Sequence, residues 1–287
     1  YYILLSGTPT PESYSQMYHQ VYGHMNNPFK LYRSFYKFAK DFVQVKQKKI
    51  NGNYINDYSE GKPSIIEHMK RYTISYSQKE AGFKVQTTEK VLKVEMSPIT
   101  YDLANKLKRN LVVQGKEEVV LADTPAKLMT KLHQIYSGTV KFESGKSMIV
   151  DNTKAMYIKN KFKDKKIGIF YKFKEELNAL KDVYGEDLVT DLPSFDDSEG
   201  KVIALQIVSG REGISLRNAE ALVYYNIDFS ATSYWQSRDR MTTKDRLKND
   251  VYWVFSEGGI EENIYSTVLN KKDYTLNHFK KDLFSGS

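Results

Sequence analysis

Residues 166–185 read KIGIFYKFKEELNALKDVYG, a short apolar run followed by Phe173, Leu177, Leu180 and Val183 at helical spacing and then Gly185. Residues 166–171 predict a strand, the following segment a helix packed by one face, and the glycine its stop. The unit recurs downstream. VIALQIV (202–208), ALVYYNI (221–227) and VYWVF (251–255) are further apolar runs of strand length, with helices expected around Tyr234 to Met241 and from about Ile260 through Ile264 and Val268. Strands that are apolar on both faces and alternate with helices specify a parallel sheet covered on both sides, so the C-terminal part is expected to be α/β. Ligands of such sheets lie beyond the carboxyl ends of the strands. Those ends carry Tyr171-Lys172, Ser209-Gly210-Arg211-Glu212-Gly213 and Asp228-Phe229-Ser230.

Upstream the pattern is less regular. FKVQTTEKVLKVEM (83–96) alternates polar and apolar residues and predicts one or two extended strands, and Ser97-Pro98 opens a helix through Tyr101, Leu103 and Leu107. Ile65 to Met69 reads as a helix, while Asn51-Gly52-Asn53 and Glu60-Gly61-Lys62-Pro63 read as loop. Met17, Val21 and Met25, then Leu31, Phe35, Phe38 and Phe42, predict helices between residues 12 and 48.

At 287 residues the chain has room for one large or two moderate domains. Lys and Arg outnumber Asp and Glu by 43 to 35, a net charge of +8, and 22 Tyr and 14 Phe are interleaved with them. That balance favours a polyanionic partner, and rings beside cations suit nucleic acid better than a membrane surface; an ordinary basic surface over a Tyr-rich core is the alternative. No apolar stretch approaches bilayer length and no charged-then-apolar leader is present, so a soluble, untargeted protein is expected, and the lack of cysteine fits a reducing cytoplasm. The absence of cysteine excludes disulfides, thiolate chemistry and a zinc finger.

Gly145-Lys146-Ser147 imitates the tail of a phosphate loop, but Val140 stands where that loop needs its first glycine, and a solvated turn is expected. His19, His24, His68, His133 and His278 show no metal-ligand spacing. In SGREGISL (209–216), Gly210 and Gly213 bracket a charged pair directly after a strand and let the backbone approach a phosphate, although a plain β-α turn has the same signature. Tyr234 to Arg240, with Lys244 and Arg246 beyond, puts cations on a helix after a strand end. Fixed guanidinium groups there could stabilise a transferring phosphoryl group; a solvated charged face is the alternative.

Taken in order, these stretches resemble the later motifs of superfamily-two helicases, specifically the Swi/Snf-like double-stranded DNA translocases found in phages. Ser6-Gly7-Thr8-Pro9 resembles the third motif, which closes the first RecA-like lobe and couples the nucleotide site to DNA. VEMSPITYDLANKL (94–107) and KLMTKLHQI (127–135) are similar to the entry into the second lobe, and IGIFYKFKEELNAL (167–180) to the fourth motif. SGREGISLRNAEALVYYNIDFS (209–230) resembles the fifth motif and its next strand, with Arg211 where the family usually has a second glycine. Tyr234 to Arg240 resembles the sixth, and IEENIYSTVLNKK (260–272) the closing helix.

The resemblance implies the mostly helical end of a first RecA-like lobe over residues 1–93 and a RecA-like second lobe over 94–287. It implies ATP with magnesium between lobes, Glu212 and Gly213 near the nucleotide, and Arg240 as arginine finger with Gln236 and Arg238 beside it. It further implies Tyr171, Lys172, Ser209 and Arg211 on the backbone of DNA, probed without reading bases, and Ser6, Gly7 and Thr8 in coupling. Two departures stand out. The sixth motif's usual second arginine is Thr243, which leaves Lys244, Arg246 or Arg238 as substitutes or the catalysis weakened. A phosphate loop and an Asp-Glu pair for magnesium are both missing, so the chain is expected to be the C-terminal part of a longer motor and inactive alone as an ATPase. A non-catalytic nucleic-acid-binding module and an RNA helicase are the rival expectations.

Overall fold

The apolar runs become strands because each has a buried surface on both sides. The computed structural model describes all residues except 1–2, 6–9, 11–12, 51–52, 76–78, 209–213, 239, 244, 271–273, 276–277, 280–281 and 283–287. The chain divides into two compact units, residues 1–82 and 83–287.

The first unit contains helices α1 (Gln16–Val21) and α2 (Phe35–Phe42), strands β1 (Lys46–Ile50) and β2 (Asn53–Asp57), and helix α3 (Ser64–Met69). Its core is aromatic: Phe38 lies 4.7 Å from Tyr18 and 4.9 Å from Phe29, ring centre to ring centre. Ser34 starts α2 by accepting the Lys37 amide at 3.3 Å. Two expectations fail here. Neither Met25 nor Leu31 joins a helical face, because α1 ends at Val21 and α2 begins at Phe35, and both residues are exposed. The segment around Asn53, read as loop, forms an antiparallel hairpin with Lys49 opposite Tyr54, and its polar, exposed strands had no apolar alternation to announce them.

The second unit begins with β3 (Gln86–Val94) and α4 (Pro98–Asn110), then a hairpin of β4 (Val112–Gln114) and β5 (Val119–Leu121), and α5 (Pro125–Tyr136). A second hairpin, β6 (Thr139–Lys141) and β7 (Ser147–Ile149), precedes α6 (Thr153–Lys161), β8 (Ile167–Tyr171) and α7 (Lys174–Tyr184). Gly145 sits in that hairpin's turn at φ +89°, so Gly145-Lys146-Ser147 runs from a turn into the antiparallel strand β7, and no helix follows it directly. The remaining elements are β9 (Leu188–Val189), α8 (Leu192–Asp196), β10 (Val202–Gln206), β11 (Ala221–Tyr224), α9 (Ala231–Ser237), β12 (Lys248–Ser256) and α10 (Glu261–Leu269).

Six strands form one sheet in the order β3-β12-β11-β8-β10-β9, and every pairing in it is parallel. Strand β3 pairs along its whole length with β12, so residues 86–94 belong to the sheet of the second unit. Alternate residues bury on opposite faces. Phe170, Leu222, Tyr224, Trp253 and Phe255 join Leu107, Leu132, Ile264 and Val268 of α4, α5 and α10 on one side. Ile167, Ile169, Val223 and Val254 join Ala155, Ile158, Ala179 and Leu180 of α6 and α7 on the other. This is the two-sided layering expected of a parallel sheet whose strands are apolar on both faces. Gly168 leaves room for its neighbours, since a Cβ there would lie 2.8 Å from the Leu216 Cδ1 and that side chain would have to shift.

Candidate functional site

A parallel sheet aligns its carboxyl ends along one edge, and three central strands meet there. The Ile207 amide donates to the Tyr171 carbonyl at 2.8 Å and the Tyr225 amide to the Phe170 carbonyl at 2.9 Å, lacing β10 and β11 to the end of β8. The turn after β8 is held from beneath by Glu176, which lies in the first turn of α7. Its Oε2 accepts the Lys172 amide at 2.6 Å and the Phe173 amide at 3.0 Å. Its Oε1 accepts from the Asn226 side-chain amide, and the Asn226 Oδ1 accepts from His133 Nε2 at 2.5 Å and from the Ile227 amide at 2.7 Å.

All three side chains are buried, and their protonation follows from that. Burial, with the Lys172 charge nearby, holds the His133 imidazole well below its ordinary value, so it is neutral. Donation through Nε2 then leaves Nδ1 as an acceptor, and it finds no hydrogen-bond partner among the described residues. Burial raises the Glu176 carboxyl, against the pull of Asn226 and the two amides.

Tyr171, the last residue of β8, and Lys172 just after it, both predicted to contact DNA, lie at this edge. Tyr171 is half-buried, and burial together with Glu176 raises its phenol. The Lys172 ammonium pairs with Asp228 and lies 4.9 Å from the centre of the Phe229 ring. Asp228 also accepts from the Ser233 hydroxyl and the Phe229 amide, each at 2.9 Å. Although burial works against its charge, Lys172 and these donors hold the Asp228 carboxyl below the usual range. A phosphate approaching Lys172 must therefore compete with Asp228.

Arg240 lies beside the segment that leaves β10. Its carbonyl accepts the Leu216 amide at 2.8 Å, and its guanidinium donates to the Ile214 carbonyl at 3.3 Å. This lateral pairing accompanies an early end to α9 at Ser237, short of the expected Met241. The structure thus brings together the parts of the chain that resemble the fifth and sixth motifs. Ser209, Arg211, Glu212 and Gly213, and likewise Ser6, Gly7 and Thr8, lie outside the described residues. Gln236 is half-buried on α9.

Arg238 is placed elsewhere. Its guanidinium pairs at 3.0 Å with Glu89 of β3 and lies 4.9 Å from the Trp235 ring centre. Glu89 also accepts from Tyr234 at 2.8 Å, Tyr265 at 3.0 Å and the Trp253 indole at 3.2 Å. Arg246 donates to the carbonyls of Arg217 and Glu220 ahead of β11 and of Lys248 at the start of β12, at the amino ends of these strands. Lys244 lies outside the described residues, and Thr243 is half-buried.

Sequence reading missed His133, Glu176 and Asn226. Asn226 had a usable signal, a polar residue interrupting the apolar run ALVYYNI. His133 and Glu176 looked like ordinary helix residues. Among the described residues no group of three His, Asp or Glu could hold a metal ion, and no helix is long and apolar enough to cross a membrane.

No protein-family model matches the sequence, and neither does any curated protein. Among solved structures, the C-terminal part of the Fun30 ATPase domain is similar over 47% of this chain and 53% of that one, with 16% identity and a TM-score of 0.40. The chain therefore spans about half the length of that structure. A structure of fission yeast Ccq1 and Tpz1 is similar over 68% of this chain and 86% of that one, with 11% identity and a TM-score of 0.41.

Proposed function

We propose that this chain supplies the second RecA-like lobe, with the end of the first, of an ATP-dependent translocase on double-stranded DNA of the Swi/Snf-like kind. The observation that carries the reading is the contact of Arg240 with Ile214 and Leu216, which joins two motif-like segments that are distant in sequence. In this reading ATP with magnesium supplies the transferable phosphoryl group, and its magnesium ligands and phosphate loop come from other parts of the protein. The Arg240 guanidinium would stabilise negative charge on that group as the lobes close. The loop after β10 and the Tyr171-Lys172 turn would hold the DNA backbone, without reading bases.

A specific observation favours a second reading, a nucleic-acid-binding module without a motor. Lys172 and Arg238 are each neutralised by a carboxylate, and Thr243 stands in the place of the second arginine. ATP turnover of the full-length protein, with and without duplex DNA, separates the two. The motor reading expects stimulation by DNA and a loss of about a thousandfold or more in Arg240→Ala. A folded Arg240→Ala protein with undiminished turnover, or no response to DNA, would favour the binding module.

A further inference from the structure

We infer that the β1–β2 hairpin of the first unit is a second nucleic-acid contact, one that grips the sugar-phosphate backbone of duplex DNA through the face bearing Gln47, Lys49, Tyr54 and Asn56. The register assigns that face. Gln47 lies opposite Asn56 and Lys49 opposite Tyr54, and residues two apart on a strand point the same way. All four are exposed, Tyr54 by 69%. The Lys49 ammonium lies 5.8 Å from the centre of the Tyr54 ring and has no ion pair among the described residues. Asn56 uses one amide hydrogen on the Tyr58 hydroxyl at 3.2 Å.

The opposite face differs in kind. Lys48 there is paired with Asp57, and Lys46 with Glu60, so its cations are already neutralised. The Lys49 face holds no acid. It holds one cation, one phenol and two carboxamides, all side-chain types that donate to phosphate oxygens. A two-stranded ribbon is also a shape that the major groove admits. Charge across the unit agrees: residues 1–82 carry eleven Lys and Arg against six Asp and Glu. Duplex DNA is the occupant because every group on this face donates hydrogen bonds and the surroundings are net positive. The contact is distinct from the strand-end site of the second unit and does not depend on ATP chemistry.

The test is fluorescence anisotropy of a labelled mixed-sequence duplex with the 287-residue chain, titrated between about 50 and 200 mM NaCl. Lys49→Glu is expected to weaken duplex binding roughly tenfold, and Lys49→Ala to reduce the salt slope by about 0.9, the share of one phosphate. Tyr54→Phe, which keeps the ring and removes the hydroxyl, is expected to weaken binding in the same direction. Lys70→Glu makes the same charge change on the unit at the end of α3, outside the hairpin strands, and is expected to cost less than Lys49→Glu. Equal losses in Lys49→Glu and Lys70→Glu would overturn the inference in favour of bulk charge. An unchanged Lys49→Ala slope, a loss confined to single strands, or a wild-type chain that ignores duplex would also overturn it. ATP turnover is not read in this assay, so the motor proposal stands or falls separately.

Discussion

Helix α9 is gripped at both ends by a carboxylate, and the two carboxylates are employed differently. Glu89 takes the Arg238 guanidinium, the hydroxyls of Tyr234 and Tyr265 and the Trp253 indole, so its acceptor sites are filled by groups from α9, α10 and β12. Asp228 takes Lys172, Ser233 and the Phe229 amide at the carboxyl edge of the sheet. Behind that edge the chain of Glu176, Asn226 and His133 ends on a ring nitrogen without a partner among the described residues. A filled carboxylate among large rings is architecture, whereas an incompletely partnered polar chain under the strand ends is where a fold leaves room for adjustment. The comparison assigns Arg238 to the frame and leaves Arg240 as the arginine beside the loop after β10.

The largest effect should come from the filled end. Glu89→Ala strands Arg238 in a mostly buried position and orphans two phenols, and is expected to cost about 3–5 kcal/mol, read from chemical denaturation. A cost near that of an ordinary surface substitution would break the contrast.

The second test uses pH. Because His133 is held below its ordinary value in the fold, the unfolded chain binds a proton below about pH 6.5 that the folded chain refuses, and stability is lost as the pH drops, by at most about 1.4 kcal/mol per unit. Glu176, raised by burial, acts in the opposite sense, gaining stability for the fold as it protonates. Lys172, Lys154 and Asp228 are the other charges that act on His133. The stability gap between wild type and His133→Asn should therefore narrow, by at most about 2 kcal/mol between pH 6.5 and 5. A constant gap would mean that His133 contributes packing alone.

The smallest effect belongs to the edge. Lys172→Met removes one of three donors and leaves the mostly buried Asp228 with Ser233 and an amide, and is expected to cost about 1–2 kcal/mol on thermal unfolding, less than Glu89→Ala because fewer groups lose their partner. A cost as large as that of Glu89→Ala would show that the edge is architecture too.

The central strands were legible because they are buried on both sides: IGIFY, VIAL and ALVY are apolar on both faces, and the polar Gln206 falls at the exposed end of β10. The helices beside them were legible from their apolar spacing, and Gly185 from its position after α7. The β1–β2 hairpin was not, because KQKKI and NYIND show no alternation of apolar and polar residues. The residues between them, Asn51-Gly52, were the available signal, an Asn-Gly pair that favours tight hairpins. The polar chain under the site was illegible for a different reason: His133 and Asn226 are 93 residues apart, and Asn226 and Glu176 are 50 apart. A period measured along the chain carries no information about such a contact.

What the sequence determined by itself was a periodicity: runs apolar on every residue, alternating with runs apolar on every third or fourth, which suffice for a parallel sheet clothed in helices. Local burial dictates that pattern, so a short window of residues can show it. Only the tertiary structure decided that β3 pairs beside β12, that Arg238 belongs to Glu89 while Arg240 meets Ile214, and that Lys172 is matched by Asp228. Each of those is a choice among several chemically equivalent partners. It is made by which groups the packed sheet brings within hydrogen-bond reach once unpaired burial becomes costly.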